Sequence, residues 1–248
     1  MHVGREFAAE RRELLGARRF VEEKLPELRR AGATVIVNIC GSTLDEYVEV
    51  AKVVSDAEGV AALELNISCP NIKEGGIQFG CSLPGTFQVV SAIRKATTLP
   101  VIPKLTPNVT DVSSFAKASE DAGADAVSLV NTFLAMAIDV ETRRPKLSNV
   151  MGGLSGPAIR PIAVRMVYEC HKAVKIPVIG MGGIASARDA LEFIIAGAAA
   201  VQIGTANFAD PFIWSKVLAG IDDYMHRHGV ARIADLVGSI DTTTRTKS

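Results

Sequence analysis

"IPVIGMGGIASARDALEFIIAGAAAVQIGTANFADPF", residues 176–212, holds the pattern that decides the fold of this 248-residue chain. An apolar run, "IPVIGM" (176–181), ends at Gly182 and Gly183. Ser186 followed by Asp189 reads as a helix start. "IAGAAAV" (195–201) then closes that helix on a glycine and leads directly into a second apolar run, "AAVQIGT" (199–205). Both runs are almost continuously apolar, which suits strands of a parallel sheet covered on its two faces.

The same grammar extends toward the N-terminus. "TVIVNI" (34–39), "AALELNI" (61–67), "PVIPKL" (100–105) and "DAVSLVN" (125–131) are further strand candidates, with amphipathic helical segments between them. Thr43 followed by Glu46 is another helix start, and "DAGADAV" (121–127) repeats the glycine stop. Alternation of this kind defines an α/β fold, either a (β/α) barrel or a doubly wound sheet. Asn38, Asn66, Lys104, Asn131, Gly182 and Gly204 all fall at or just past the C-terminal ends of successive strand candidates. A barrel brings such residues to one face, whereas an open sheet converges only those near its switch point, so the barrel is the expected architecture.

Six strand candidates fall short of the eight in a closed (β/α)8 TIM barrel. Residues 1–30 do not supply the remainder. They are dense in Arg and Glu, with Leu14, Ala17, Val21, Leu25 and Leu28 at helical spacing and Pro26 marking a restart. The expected organisation is therefore a charged, mostly helical segment over 1–30 and a barrel catalytic domain over 31–248, with about six of eight βα units.

Composition narrows the function. Lys plus Arg and Asp plus Glu number 27 each, so no net field favours nucleic acid or an anionic membrane. Four cysteines without a CxxC pair suggest neither a disulfide framework nor a zinc site, and four scattered histidines suggest no metal cluster. The start lacks a signal-peptide core and no apolar run is long enough to cross a bilayer, so a reducing, cytoplasmic setting is expected. In that setting the sequon-like triplets at Asn38, Asn66 and Asn108 are not glycosylation sites.

Several residues suggest chemistry. Gly182 and Gly183, and again Gly204 and Thr205, stand between a strand and a helix start. Exposed backbone N–H groups and a helix N-terminus can hold a phosphate there, although tight βα turns alone also ask for glycine. Lys104 ends an otherwise uncharged apolar strand, which suits a polar pocket with an anionic or electron-rich partner, or a side chain snorkelling to water. Asn66 and Asn131 can donate and accept toward a planar heterocycle, or cap a turn. Cys69 follows its strand in a polar loop, open to reading as a small hydrophobe, a metal ligand or a reactive thiol. The metal reading fails for want of companions. Lys73 and a pocket lysine would favour a thiolate at Cys69, while Cys40, Cys81 and Cys170 are expected to be inert.

"LNISCPNIKEGGIQFG" (65–80), "PKLTPNVTDV" (103–112), "VNTFLAMAIDVETRRP" (130–145), "GGLSGPAIRP" (152–161) and residues 180–212 together resemble the catalytic subunit of class 1B dihydroorotate dehydrogenases. The likeness runs from about Phe20 to the end, with a shorter echo in "GREFA" (4–8). It implies an FMN-containing barrel that oxidises dihydroorotate to orotate in de novo pyrimidine (UMP) biosynthesis. Cys69 matches the base that takes a proton from C5 as a hydride leaves C6 for the flavin; a thiol of unperturbed pKa about 8.5 is within reach of that task. Asn66, Asn131 and Thr132 match substrate-binding residues. Asn38, Asn66, Lys104, Val130, Gly156, Gly182, Gly183, Gly204 and Thr205 match flavin contacts, with Lys104 beside the ring and the last four around the phosphate. No metal site is implied on this chain.

The resemblance further implies a homodimer core within a heterotetramer, whose iron-sulfur and FAD subunit passes electrons to NAD. The family's first two βα units, with a flavin-contacting strand, a lysine-bearing strand and a substrate loop, have no counterpart here. The other expectation is accordingly a truncated, non-catalytic remnant that folds only as an oligomer or with a partner.

Overall fold

The computed structural model describes residues 12–67 and 79–243. Internal packing divides the chain into two units, Met1–Leu105 with Lys117–Val127, and Thr106–Ala116 with Ser128–Ser248.

The first unit opens with helix α1 (Arg12–Arg19), a π-helical turn (Phe20–Lys24) and α2 (Leu25–Arg30). Pro26 lies in the first turn of α2, directly after the π-helical turn, and the helical backbone runs through it unbroken, so the expected restart is a change of helix type and not a break. Next come β1 (Val35–Ile39), α3 (Leu44–Ser55), β2 (Val60–Leu65), α4 (Leu83–Ala96) and β3 (Val101–Pro103). The expected start of α3 is realised at Thr43, with the reciprocal bond displaced by one residue. Thr43 Oγ1 accepts from Glu46 N at 3.2 Å, and Glu46 Oε2 accepts from Ser42 N, rather than from Thr43 N, at 2.6 Å. Strands β1, β2 and β3 form a parallel sheet in that order, with Asn38 opposite Glu64 and Glu64 opposite Ile102. The helices α3 and α4 bury Val50, Ala51, Val54, Val89, Val90 and Ile93 to form the unit's apolar core.

Helix α5 (Val112–Asp121) and strand β4 (Val127–Leu129) follow. The second unit then adds two short antiparallel pairs that the sequence reading does not anticipate. β5 (Phe133–Ala135) and β6 (Ile138–Asp139) lead out; β7 (Arg144–Pro145) and β8 (Gly152–Leu154) lead back, with β5 pairing β8 and β6 pairing β7. The chain continues through α6 (Arg160–Ala173), β9 (Val178–Met181), α7 (Ala187–Ala196), β10 (Ala198–Gln202), α8 (Ala206–Ala209) and α9 (Ile213–His228). β9 lies between β4 and β10, and β9 and β10 run parallel.

The glycine stop of α7 has a steric cause beyond its positive φ of 124°. A Cβ on Gly197 would fall 2.2 Å from His171 Cγ, so a side chain there is excluded by the neighbouring helix. All six expected parallel-type strands form, trimmed by up to three residues at an end. In neither three-stranded sheet does the order reverse, as it would at the switch point of a doubly wound sheet; within each sheet, strands that follow one another among these six are neighbours.

Candidate flavin and substrate site

In the first unit, Asn38, Asn66 and Lys104 occupy the C-terminal ends of β1, β2 and β3. Asn38 Nδ2 donates to Glu64 Oε2 at 2.6 Å, across the β1–β2 register. Glu64 is only 5% exposed, and a buried carboxylate fixes the flip of the amide that donates to it. Asn66 is held through its backbone. Its N–H donates to Ile39 O at 2.8 Å and its carbonyl accepts from the fully buried Tyr47 hydroxyl at 2.8 Å. Tyr47 is itself braced edge-on by Phe79 at 5.9 Å between ring centroids. Lys104 N donates to Leu65 O at 2.9 Å, which extends the β2–β3 pairing by one residue and places the half-buried lysine immediately beyond β3. Among the described residues its ammonium has no hydrogen-bond or ion-pair partner. Cys69 and Lys73 lie outside the described residues.

In the second unit, Val130, Thr132, Gly156, Gly182, Gly183, Gly204 and Thr205 line one cavity of about 320 Å³. That volume is in the range of small-molecule sites, roughly 300–1,000 Å³. Residues chosen from separate stretches of sequence are thus brought together beyond β4, β9 and β10. Asn131 adjoins the wall without lining it, and its Oδ1 accepts from Thr132 N at 2.8 Å. Val130 N donates to Met181 O at 3.0 Å and so ties the end of β4 to the end of β9.

The lining suits an anionic group. Among the described residues no carboxylate belongs to it, Thr205 Oγ1 and Ser155 Oγ form a hydroxyl pair at 3.0 Å, and a Cβ at Gly156 or Gly204 would meet no atom within 4 Å. Among the described residues, the backbone N–H groups of Gly183, Gly204 and Thr205 have no protein acceptor. Donors left unpaired in a concave, carboxylate-free wall are what a phosphate requires.

At Gly182 and Gly183 the helix start is set back from the glycines. α7 begins at Ala187, its N-cap Ser186 side chain accepts from Asp189 N at 3.3 Å, and Asp189 Oδ2 accepts from Ala185 N at 3.0 Å. The N–H group that Gly183 brings to the cavity is therefore a loop donor. Arg160, at the start of α6, is engaged by Asp189 and by Glu192 at 3.2 Å.

Sequence reasoning missed Glu64, Tyr47, Asn108 and Ser155. For Glu64 a signal existed, a lone charge inside the apolar run "AALELNI". The other three are typical of their surroundings in sequence and become distinctive only through their partners.

Cys170, expected to be inert, is buried in α6. Burial first, and then the neighbouring Glu169 and Asp111 carboxylates, push its thiol up to about 12. At pH 8 only about one thiol in 10⁴ would be ionised. Iodoacetamide at that pH should leave Cys170 unmodified in the folded chain and label it fully after denaturation, as read by peptide mass spectrometry. Rapid labelling of the folded chain would contradict the burial argument.

Parallel strands alternating with helices in this way belong to the (β/α)-barrel class of protein. In support of the fold, a crystal structure of DHODH from Eimeria tenella in complex with ferulenol superposes with a TM-score of 0.71 at 21% identity, covering 91% of this chain and 65% of that one. A family model described as dihydroorotate dehydrogenase matches residues 14–225, and the chain belongs to the dihydroorotate dehydrogenase family. Among its relatives, the dihydroorotate dehydrogenase B (NAD(+)) catalytic subunit of Porphyromonas gingivalis is 52% identical over 225 residues, 91% of this chain and 73% of that protein. The protein of the same name from Pelobacter propionicus is 53% identical over 227 residues, 92% of this chain and 75% of its own length. The family is one of flavin-dependent oxidoreductases. Among the described residues no helix is long and apolar enough to cross a membrane.

Proposed function

We propose that this chain oxidises dihydroorotate to orotate with FMN as its resident acceptor, as the catalytic subunit of a class 1B enzyme of pyrimidine biosynthesis. The observation that carries the reading is the convergence of Val130, Thr132, Gly156, Gly182, Gly183, Gly204 and Thr205 on one carboxylate-free cavity in a member of this family. FMN, when bound, supplies the hydride acceptor for C6 of the substrate.

The chain's own residues do the rest. Cys69, as thiolate, takes the proton from C5, so the substrate loses a proton and a hydride and gains the C5–C6 double bond. The amides of Asn66 and Asn131, with the Thr132 hydroxyl, hold the pyrimidine ring. Lys104 would hold a positive charge toward the flavin side of the site, where it would favour hydride acceptance. Asn38, its amide turned by Glu64, is a further flavin contact. Gly182, Gly183, Gly204 and Thr205 hold the phosphate through backbone N–H groups and a hydroxyl.

In this reading residues 1–30 are a helical preface to a catalytic barrel over 31–248. The chain works in the cytoplasm as a homodimer within a heterotetramer, and a partner subunit carrying FAD and an iron-sulfur cluster conveys electrons to NAD. Purification with FMN should give a yellow protein that forms orotate from dihydroorotate. A colourless protein without turnover overturns the proposal in favour of a non-catalytic chain.

A further inference from the structure

Asn108, in the loop beyond β3, makes a two-point contact with the chain that follows Asn131. Its Nδ2 donates to Thr132 O at 3.1 Å and its Oδ1 accepts from Leu134 N at 2.9 Å. One side-chain amide thus bonds a carbonyl and an N–H two residues apart, as the backbone of a neighbouring strand would. The amide is itself held, because Thr106 Oγ1 accepts from both Asn108 N and Asn108 Nδ2 at 3.2 Å.

Thr132 is confined from a second direction. β5 and β8 pair Leu134 with Gly153, and a Cβ on Gly153 would lie 2.3 Å from Thr132 Oγ1. The Thr132 side chain therefore rests against bare backbone at one end while its carbonyl is held by Asn108 at the other. Thr132 lines the cavity, and its N–H is the group that Asn131 Oδ1 accepts from. Whatever fixes residues 132–134 thereby fixes the orientation of both Asn131 and Thr132.

We infer that Asn108 is a positioning residue that sets the Asn131–Thr132 segment for binding the pyrimidine ring. The identity of the ring rests on the dihydroorotate reading; the clamp itself does not. An amide is needed because it offers a donor and an acceptor side by side. Aspartate of the same shape keeps the acceptor for Leu134 N but turns an oxygen toward Thr132 O, and alanine offers neither.

The test compares the FMN-loaded chain with Asn108→Asp and Asn108→Ala. Three quantities are read: KM and kcat for dihydroorotate, the Kd of orotate from its perturbation of the flavin spectrum, and hydrogen exchange at the Leu134 amide. Both variants are expected to raise KM and the orotate Kd by about tenfold or more, with kcat within about threefold and a smaller change in FMN affinity than in the orotate Kd. Leu134 should exchange faster in Asn108→Ala than in Asn108→Asp. Unaltered KM and orotate Kd in both variants overturn the inference, as does unaltered Leu134 protection in Asn108→Ala. Should the parent chain bind FMN but not turn over dihydroorotate, the functional reading falls separately, and the exchange measurement still decides whether Asn108 holds the segment. Asn108→Asp preserves size, so loss of folding in the alanine variant alone leaves the comparison intact.

Discussion

Cys69→Ser is expected to lower turnover of dihydroorotate by about 10²–10⁴-fold while leaving FMN bound, the range that a positioned base contributes. Cys69 lies outside the described residues, and the assignment comes from sequence. Asn66, three positions earlier, is fixed to Ile39 and the buried Tyr47 through its backbone. A serine hydroxyl keeps the size of the side chain but ionises far above neutrality, so the proton at C5 loses its acceptor while the flavin contacts persist. The diagnostic is the pH profile. The parent rate should rise with pH as a single thiol ionises, and the variant rate should lose that limb. Equal turnover in the two proteins would falsify the assignment.

Gly183→Ala should have the largest effect on cofactor affinity. Gly183 has a φ of +78°, and a Cβ there would fall 2.7 Å from Gly156 O and 3.0 Å from Arg160 N. Both are backbone atoms of the turn that enters α6, so they cannot swing aside as a long side chain would. Two costs then add: a left-handed conformation in a residue with a Cβ, and displacement of Gly156, which itself lines the cavity. We expect a stability loss of about 1–3 kcal/mol by thermal or urea denaturation and at least a hundredfold loss of FMN affinity by fluorescence titration. Gly204→Ala supplies the contrast. Its methyl would meet no protein atom within 4 Å, so stability should hold and only ligand binding should weaken. Similar stability losses in the two variants would remove the steric explanation.

The difference between these two glycines also shows where sequence reading stops. Both appear as glycines after an apolar run, and the run itself was legible because strands buried on both faces need little else to announce them. Helix starts were legible for a similar local reason, as Thr43 and Ser186 bond to N–H groups three residues away. The antiparallel pairs between Phe133 and Leu154 were not. Two- and three-residue strands leave no periodicity, and exposed Leu134, Ile138 and Val140 follow no core. Asn108 was masked by its own context. Asn-Val-Thr reads as a sequon, whereas its amide is used on Thr132 and Leu134, 24 and 26 residues away. The sequence likewise marks a helix start after Gly182 and Gly183 without fixing how far beyond them the first turn begins, which is at Ala187.

The hairpin segment also governs the order in which the second unit can be put together. β9 and β10 begin about 20 residues apart, whereas β4 and β9 begin about 50 apart because the antiparallel pairs intervene. On a scale of about 0.6 kcal/mol per doubling of loop length, closing the longer connection costs about 0.8 kcal/mol more in chain entropy. The β9–α7–β10 portion therefore closes at lower entropic cost, and the strand that precedes Asn131 and Thr132 joins it across the longer loop. The segment proposed to meet the substrate thus carries the longer closure, and the two glycine turns proposed for the phosphate lie on the shorter one.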